Sequence, residues 1–129
     1  MTDLRPSTTY PAIVGQVIAR QRTHRGLNQA QLAAALQINQ SALSKIERGS
    51  TPPSVEHLAL IATYLDTTPG QLLDEADRVA HQASARGVEV LPTRPRNSDP
   101  LAMGLLLIGA AALGAIVIAA LASDRNHDD

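Results

Sequence analysis

GLNQAQLAAALQINQSALSKIERGSTPPSVEHLALIATYLDTTPGQLL, residues 26–73, carries four helix starts in quick succession. Asn28 stands three residues before Gln31, the spacing of a capping box. The Asn oxygen takes a first-turn N–H and the Gln side chain returns to the Asn N–H. Leu32, Ala33 and Leu36 then give that helix an inner face. The turn Gln37-Ile38-Asn39 follows, with Asn39 as the cap of a helix over 40–48. Leu43 and Ile46 point inward on it, which turns Gln40, Ser41, Ser44, Lys45 and Arg48 outward, and Gly49 stops it. Pro52-Pro53-Ser54 opens the next helix. Ser54 is its cap, Glu56 lies in the first turn where the helix dipole favours an anion, and Leu58, Ile61, Ala62 and Leu65 form its buried stripe. Thr68-Pro69-Gly70-Gln71 is a second capping box with Pro in the first turn.

Before this stretch, Pro11 suits a helix's first turn, and Ile13, Val14, Val17 and Ile18 recur at helical spacing as far as Arg25. Gly26 ends that helix. Residues 1–9 read as a flexible arm. The spacing therefore predicts a compact domain over 10–74. The fifth helix continues as an extension over 75–86, with Leu72, Ala76, Val79, Ala80 and Ala83 along one side. Asp74, Glu75 and Asp77 lie early in it, and Arg78 and Arg86 late, as the dipole prefers. Gly87 is a stop. Residues 87–100 contain Pro92, Pro95 and Pro100, show no helical period and read as a linker.

Composition narrows the chemistry. The 129 residues include no Cys, Phe or Trp and 2 Tyr. Disulfides, thiolate metal sites and a Cys nucleophile are excluded. The core must be built from Leu, Ile, Val and Ala, which favours closely packed helices, and aromatic platforms for stacking bases are missing. His24, His57, His81 and His127 lack ligand spacing, and no Gly-rich phosphate loop occurs. The chain reads as a non-enzyme without metal or cofactor. A net charge of -1 does not mark the whole molecule as a polyanion binder.

Leu101 to Ala122 is a run of 22 apolar residues. As a helix it would extend roughly 33 Å, close to the ~30 Å hydrocarbon core of a bilayer. Its ten Leu, Ile and Val favour insertion by about 3 to 6 kcal/mol, partly offset by three Gly. Arg86, Arg94 and Arg96 precede it, while Arg125 follows beside Asp124, Asp128 and Asp129. The excess of Arg on the N-terminal side predicts that the domain faces the cytoplasm. The expected product is a single-pass protein of the inner (cytoplasmic) membrane. Residues 123–129 form a short non-cytoplasmic tail, and the N-terminus has no secretory-signal pattern. Ala111, Ala115 and Ala119 repeat every four residues, a spacing that lets helices approach closely, although Ala and Gly are simply common in this run.

Two helices joined by a three-residue turn within a five-helix unit follow the helix-turn-helix plan. Residues 13–73 resemble the Cro/repressor, or xenobiotic-response-element, family. The resemblance rests on Gly26-Leu27-Asn28-Gln29, Leu32-Ala33, Ile46-Glu47-Arg48-Gly49 and Pro53. It implies an all-α, five-helix, phage-repressor-like domain; the linker and a single C-terminal transmembrane helix complete the expected architecture. It also implies that Gln40, Ser41, Ser44 and Lys45 contact base edges in the major groove, as Gln and Lys are chemically able to do. Gln29 matches a phosphate-contacting position, and Asn39 and Arg48 stand where phosphate contact is open to them. Arg22 and Glu47 match a structural salt bridge. Two positions depart from the pattern. Gln37 replaces a turn Gly, and Gln21 stands where an apolar residue is usual. Residues 13–73 hold five Lys and Arg against three Asp and Glu, so a shallow salt dependence is expected.

The reading that follows is a membrane-anchored, sequence-specific transcriptional regulator. It would bind double-stranded DNA as a homodimer on half-sites about 34 Å apart. Its other partner would be the lipid bilayer. An alternative stays open: an adaptor resembling RodZ, whose helix-turn-helix precedes a single span and grips a cytoskeletal or membrane-complex protein. RodZ-like proteins carry a folded domain beyond the membrane, where this chain has seven residues.

Overall fold

The computed structural model describes residues 5–93. Its elements are β1 (Ser7–Thr9), α1 (Tyr10–His24), α2 (Gln29–Ala35), α3 (Gln40–Arg48), α4 (Val55–Tyr64), α5 (Pro69–Ala85) and β2 (Glu89–Leu91). The local signals hold. Asn28 and Thr68 head complete capping boxes, and Asn39 and Ser54 accept from Ala42 N and His57 N. The first helix begins at Tyr10, with Pro11 in its first turn as expected, and Thr9 caps it by accepting from Ala12 N.

One aliphatic core joins all five helices. Ile13, Val17 and Ile18 of α1 meet Leu32 of α2, Leu43 and Ile46 of α3, Ile61 of α4, and Leu72, Ala76 and Val79 of α5. Without large rings, helices must pack closely. The tightest approach is at Gly15 of α1, where a Cβ would collide with the Ile46 carbonyl oxygen and sit 2.6 Å from that of Glu47. Gly49, which caps α3 at φ +78, abuts Ala12 in the same way. These two contacts press the C-terminal end of α3 onto α1.

The five-helix, all-α plan stands, with one addition that the sequence did not show: Ser7, Thr8 and Thr9 pair in parallel with Glu89, Val90 and Leu91. So part of the 1–9 arm and part of the 87–100 linker belong to the folded unit. Thr8 and Thr9 are buried there. Strands this short show no alternation, and their partners lie at opposite ends of the domain, so no local pattern could announce the pairing. Val79 and Ala83 are fully buried, and α5 is one continuous core helix against α1.

The turn between α2 and α3 answers the question Gln37 raised. Its φ is +58, so the left-handed conformation that suits Gly is kept with a side chain in place. That costs on the order of 1 kcal/mol. Asp66 does the same after α4, at φ +55.

No helix among the described residues is long and apolar enough to cross a membrane. The 101–122 run and the tail lie outside the described residues, as does the second half of the linker, 94–100.

Candidate nucleic-acid interface

Helix α3 is held by its inner face. Leu43 and Ile46 are buried, while Gln40, Ser41, Lys45 and Arg48 are exposed and Ser44 is half-buried. A polar row therefore runs along one side of a rigid nine-residue helix. Asn39 spends its side-chain oxygen on Ala42 N at 2.7 Å. Its amide NH2 remains as a donor at the mouth of the helix. The Arg48 Nε donates back to the Ser44 carbonyl at 3.3 Å, which lays the guanidinium along the helix.

Glu47 faces the other way and is 4 % exposed. Its carboxylate accepts from Arg22 Nε at 2.9 Å and Arg22 Nη2 at 3.0 Å, a fork-to-fork pair. Arg22 Nη1 also donates to the Leu27 carbonyl at 2.8 Å. The salt bridge expected from the resemblance is thus present, and it ties α1, the following loop and α3 together.

Gln29 joins the same network, which the sequence did not suggest. Its Nε2 donates to Glu47 Oε1 at 3.0 Å. One of its two amide N–H groups is spent there, which leaves the second N–H and the carbonyl oxygen of the side chain. Of the first backbone N–H groups of α2, that of Gln31 is taken by the Asn28 side chain, and those of Gln29 and Ala30 have no partner inside the helix.

Gln21, the other departure, is also accounted for. Its Nε2 donates to Glu75 Oε2 at 3.0 Å. Glu75, read from sequence as a dipole-pairing residue of the fifth helix, is 6 % exposed, and its Oε1 has no hydrogen-bond partner. Nearby, the Tyr10 hydroxyl donates to Asp77 Oδ1 at 2.6 Å. Burial, then the hydrogen bond and the charges of Asp77 and Asp74, push the phenol up to about 12. These contacts lie between α1 and α5. Among the described residues no group of three or more His, Asp or Glu is arranged to hold a metal ion.

This arrangement defines a class. Residues 18–72 match a family model described as helix-turn-helix, and they form a Cro/C1-type helix-turn-helix domain. The chain is also similar to solved structures. One is the clp gene regulator ClgR from Corynebacterium glutamicum, at 26 % identity and a TM-score of 0.58, covering 60 % of this chain and 82 % of that one. A second structure of ClgR from C. glutamicum matches at 28 % identity and a TM-score of 0.51, covering 53 % and 88 %. No curated protein matches.

Proposed function

We propose that the protein is a membrane-anchored, sequence-specific DNA-binding regulator. The observation that carries this reading is the polar outer row of α3, Gln40, Ser41, Ser44, Lys45 and Arg48, on a helix fixed from behind by Leu43, Ile46 and the Glu47 network. Such a row can enter the major groove. Gln40 has the geometry to pair with adenine, and Lys45 to reach guanine. Asn39, Arg48 and the start of α2 at Gln29 supply contacts to the phosphate backbone. The similarity to a clp gene regulator supports a role in gene control. The 101–122 run supplies the anchor. Two copies held in one bilayer meet at raised effective concentration and present two reading helices to one site.

A mobility shift of the full chain in mild detergent, on the DNA upstream of its own coding sequence, tests this. Each base contact is worth about 1–3 kcal/mol, so Gln40→Ala with Lys45→Ala should weaken binding at least ~10-fold while the helical circular dichroism stays unchanged. No retention at low salt, with a filament or membrane-complex protein bound instead, would favour the adaptor reading. Partition of the full chain into the detergent-free soluble fraction would remove the anchor.

A further inference from the structure

Gln21 of α1 and Gln71, Asp74, Glu75 and Arg78 of α5 line an open groove of about 600 Å³. Glu75 is its buried member, 6 % exposed. Its Oε2 accepts from Gln21 Nε2 at 3.0 Å, while its Oε1 is buried and has no hydrogen-bond partner among the described residues. Both helices that frame the groove lie wholly within the described residues, and neither supplies a donor to Oε1. A buried acceptor left unfilled costs its desolvation. An apolar residue at position 75 would avoid that cost. The carboxylate is kept against stability, the pattern of a binding group rather than of a packing one.

The groove's hydrogen-bonding capacity leans to one polarity. An ionised carboxylate accepts only, so Glu75 Oε1 calls for a donor. Gln21 has committed one N–H to Glu75, and the carbonyl oxygen of the same amide is a second acceptor. Gln71 is a wall rather than a ligand group: its side-chain oxygen accepts from Thr67 Oγ1 at 2.8 Å and from Thr68 N at 3.3 Å, which ties it into the start of α5. Asp74 and Arg78 are both exposed and carry opposite charges, which offset each other at the rim. Glu75 therefore sets the sign of the site.

We propose that this groove binds a small primary ammonium ion. One of its three N–H groups fills Glu75 Oε1, a second meets the Gln21 carbonyl oxygen, and the third stays towards Asp74 and water. The exposed side chains of Gln71 and Arg78, both long and unbranched, swing aside to admit it. A charge-assisted bond to a buried carboxylate is stronger than a neutral one, so the ligand's nitrogen and not its carbon frame carries recognition. Other occupants fit less well. A hard metal ion asks for six or more oxygen ligands, and no group of three or more His, Asp or Glu among the described residues is arranged to hold one. A water fills only roughly 30 Å³ and brings no charge to the carboxylate. The site is separate from the outer row of α3 and from the 101–122 run, and depends on neither.

Putrescine is the probe, because a second ammonium on a short carbon chain lets it reach Asp74 as well. Its control is the fully N-methylated analogue, which keeps both charges and carries no N–H. Isotope-labelled full chain in a nonionic detergent is titrated with each at constant ionic strength and followed by NMR. With putrescine the side-chain amide signals of Gln21 and the backbone signal of Glu75 should move and saturate, with a dissociation constant at or below ~1 mM. The methylated analogue should bind at least ~10-fold more weakly. Glu75→Gln keeps the shape and removes the charge, and should weaken putrescine by at least the same ~10-fold. Where Glu75→Gln disturbs the fold, the comparison of the two cations on the unaltered chain still decides. Equal binding of both cations or shifts that climb without saturating would overturn the proposal. So would shifts centred on Asp124, Asp128 and Asp129 of the tail, or an unchanged affinity in a folded Glu75→Gln chain. No arm uses DNA or a bilayer, so the outcome is independent of the regulator reading.

Discussion

Gln21 and Arg22 are consecutive residues of α1, and each ends on a buried carboxylate, but the two carboxylates are served differently. Glu47 receives three N–H groups, two from Arg22 and one from Gln29. Glu75 receives one, from Gln21, and its second oxygen has no partner. A buried charge is tolerated when its lone pairs are filled and costly when they are not. The first cluster lies where α1, α2 and α3 meet and sets the pose of the proposed reading helix. The second lies between α1 and α5, away from α3. The domain is therefore exacting about geometry behind α3 and wasteful of stability beneath α5.

The largest expected effect breaks the satisfied side. Glu47→Ala leaves the half-buried Arg22 guanidinium without its carboxylate and should cost about 3–5 kcal/mol in urea melts followed by circular dichroism. A loss under ~1 kcal/mol would mean the network is ornamental. The opposite sign is expected beneath α5. Gln21→Leu with Glu75→Leu replaces a half-satisfied polar pair with apolar contact and should stabilise the domain by about 1–4 kcal/mol. Destabilisation by the double variant would show that the Glu75 seam is as well served as Glu47. Smaller again, Gln37→Gly relieves the left-handed φ between α2 and α3 and should add up to about 1 kcal/mol, less what Gly loses in chain entropy.

The smallest effect is a titration. In a Tyr64→Phe background Tyr10 is the one phenol left, and its ultraviolet absorbance should rise near pH 12, against an ordinary value of 10.0. The neutral phenol is the form the fold favours, so its contribution to stability is complete below pH 10 and is lost as pH climbs through 12. Asp77→Asn should move the midpoint down. A Tyr10 midpoint at 10 with Asp77 intact would contradict the hydrogen bond.

What the sequence made legible was local. Asn28, Asn39, Ser54 and Thr68 cap helices because a cap and its target lie within three residues, and the inward Leu43 and Ile46 fix the outer row of α3 by periodicity alone. Gly15 was silent because its reason, the backbone of Ile46 and Glu47, belongs to another helix. The same holds for Gln21 with Glu75, Tyr10 with Asp77, and β1 with β2: each joins distant parts of the chain. Gln29 is the instructive case within the candidate site. Its position was legible, yet the commitment of one of its two amide N–H groups to Glu47 depends on how α3 crosses α2.

The central claim is that the outer row of α3 distinguishes one DNA sequence from another. Competition binding settles it: the full chain on a labelled duplex from its own upstream region, challenged with unlabelled copies of that duplex or of a scrambled one, at ~0.15 M salt. The account predicts that the matched competitor displaces the probe at least ~10³-fold more effectively, and that Lys45→Ala erodes this preference more than it erodes binding to scrambled DNA. Equal displacement by both duplexes, or a Lys45→Ala effect identical on both, would contradict it.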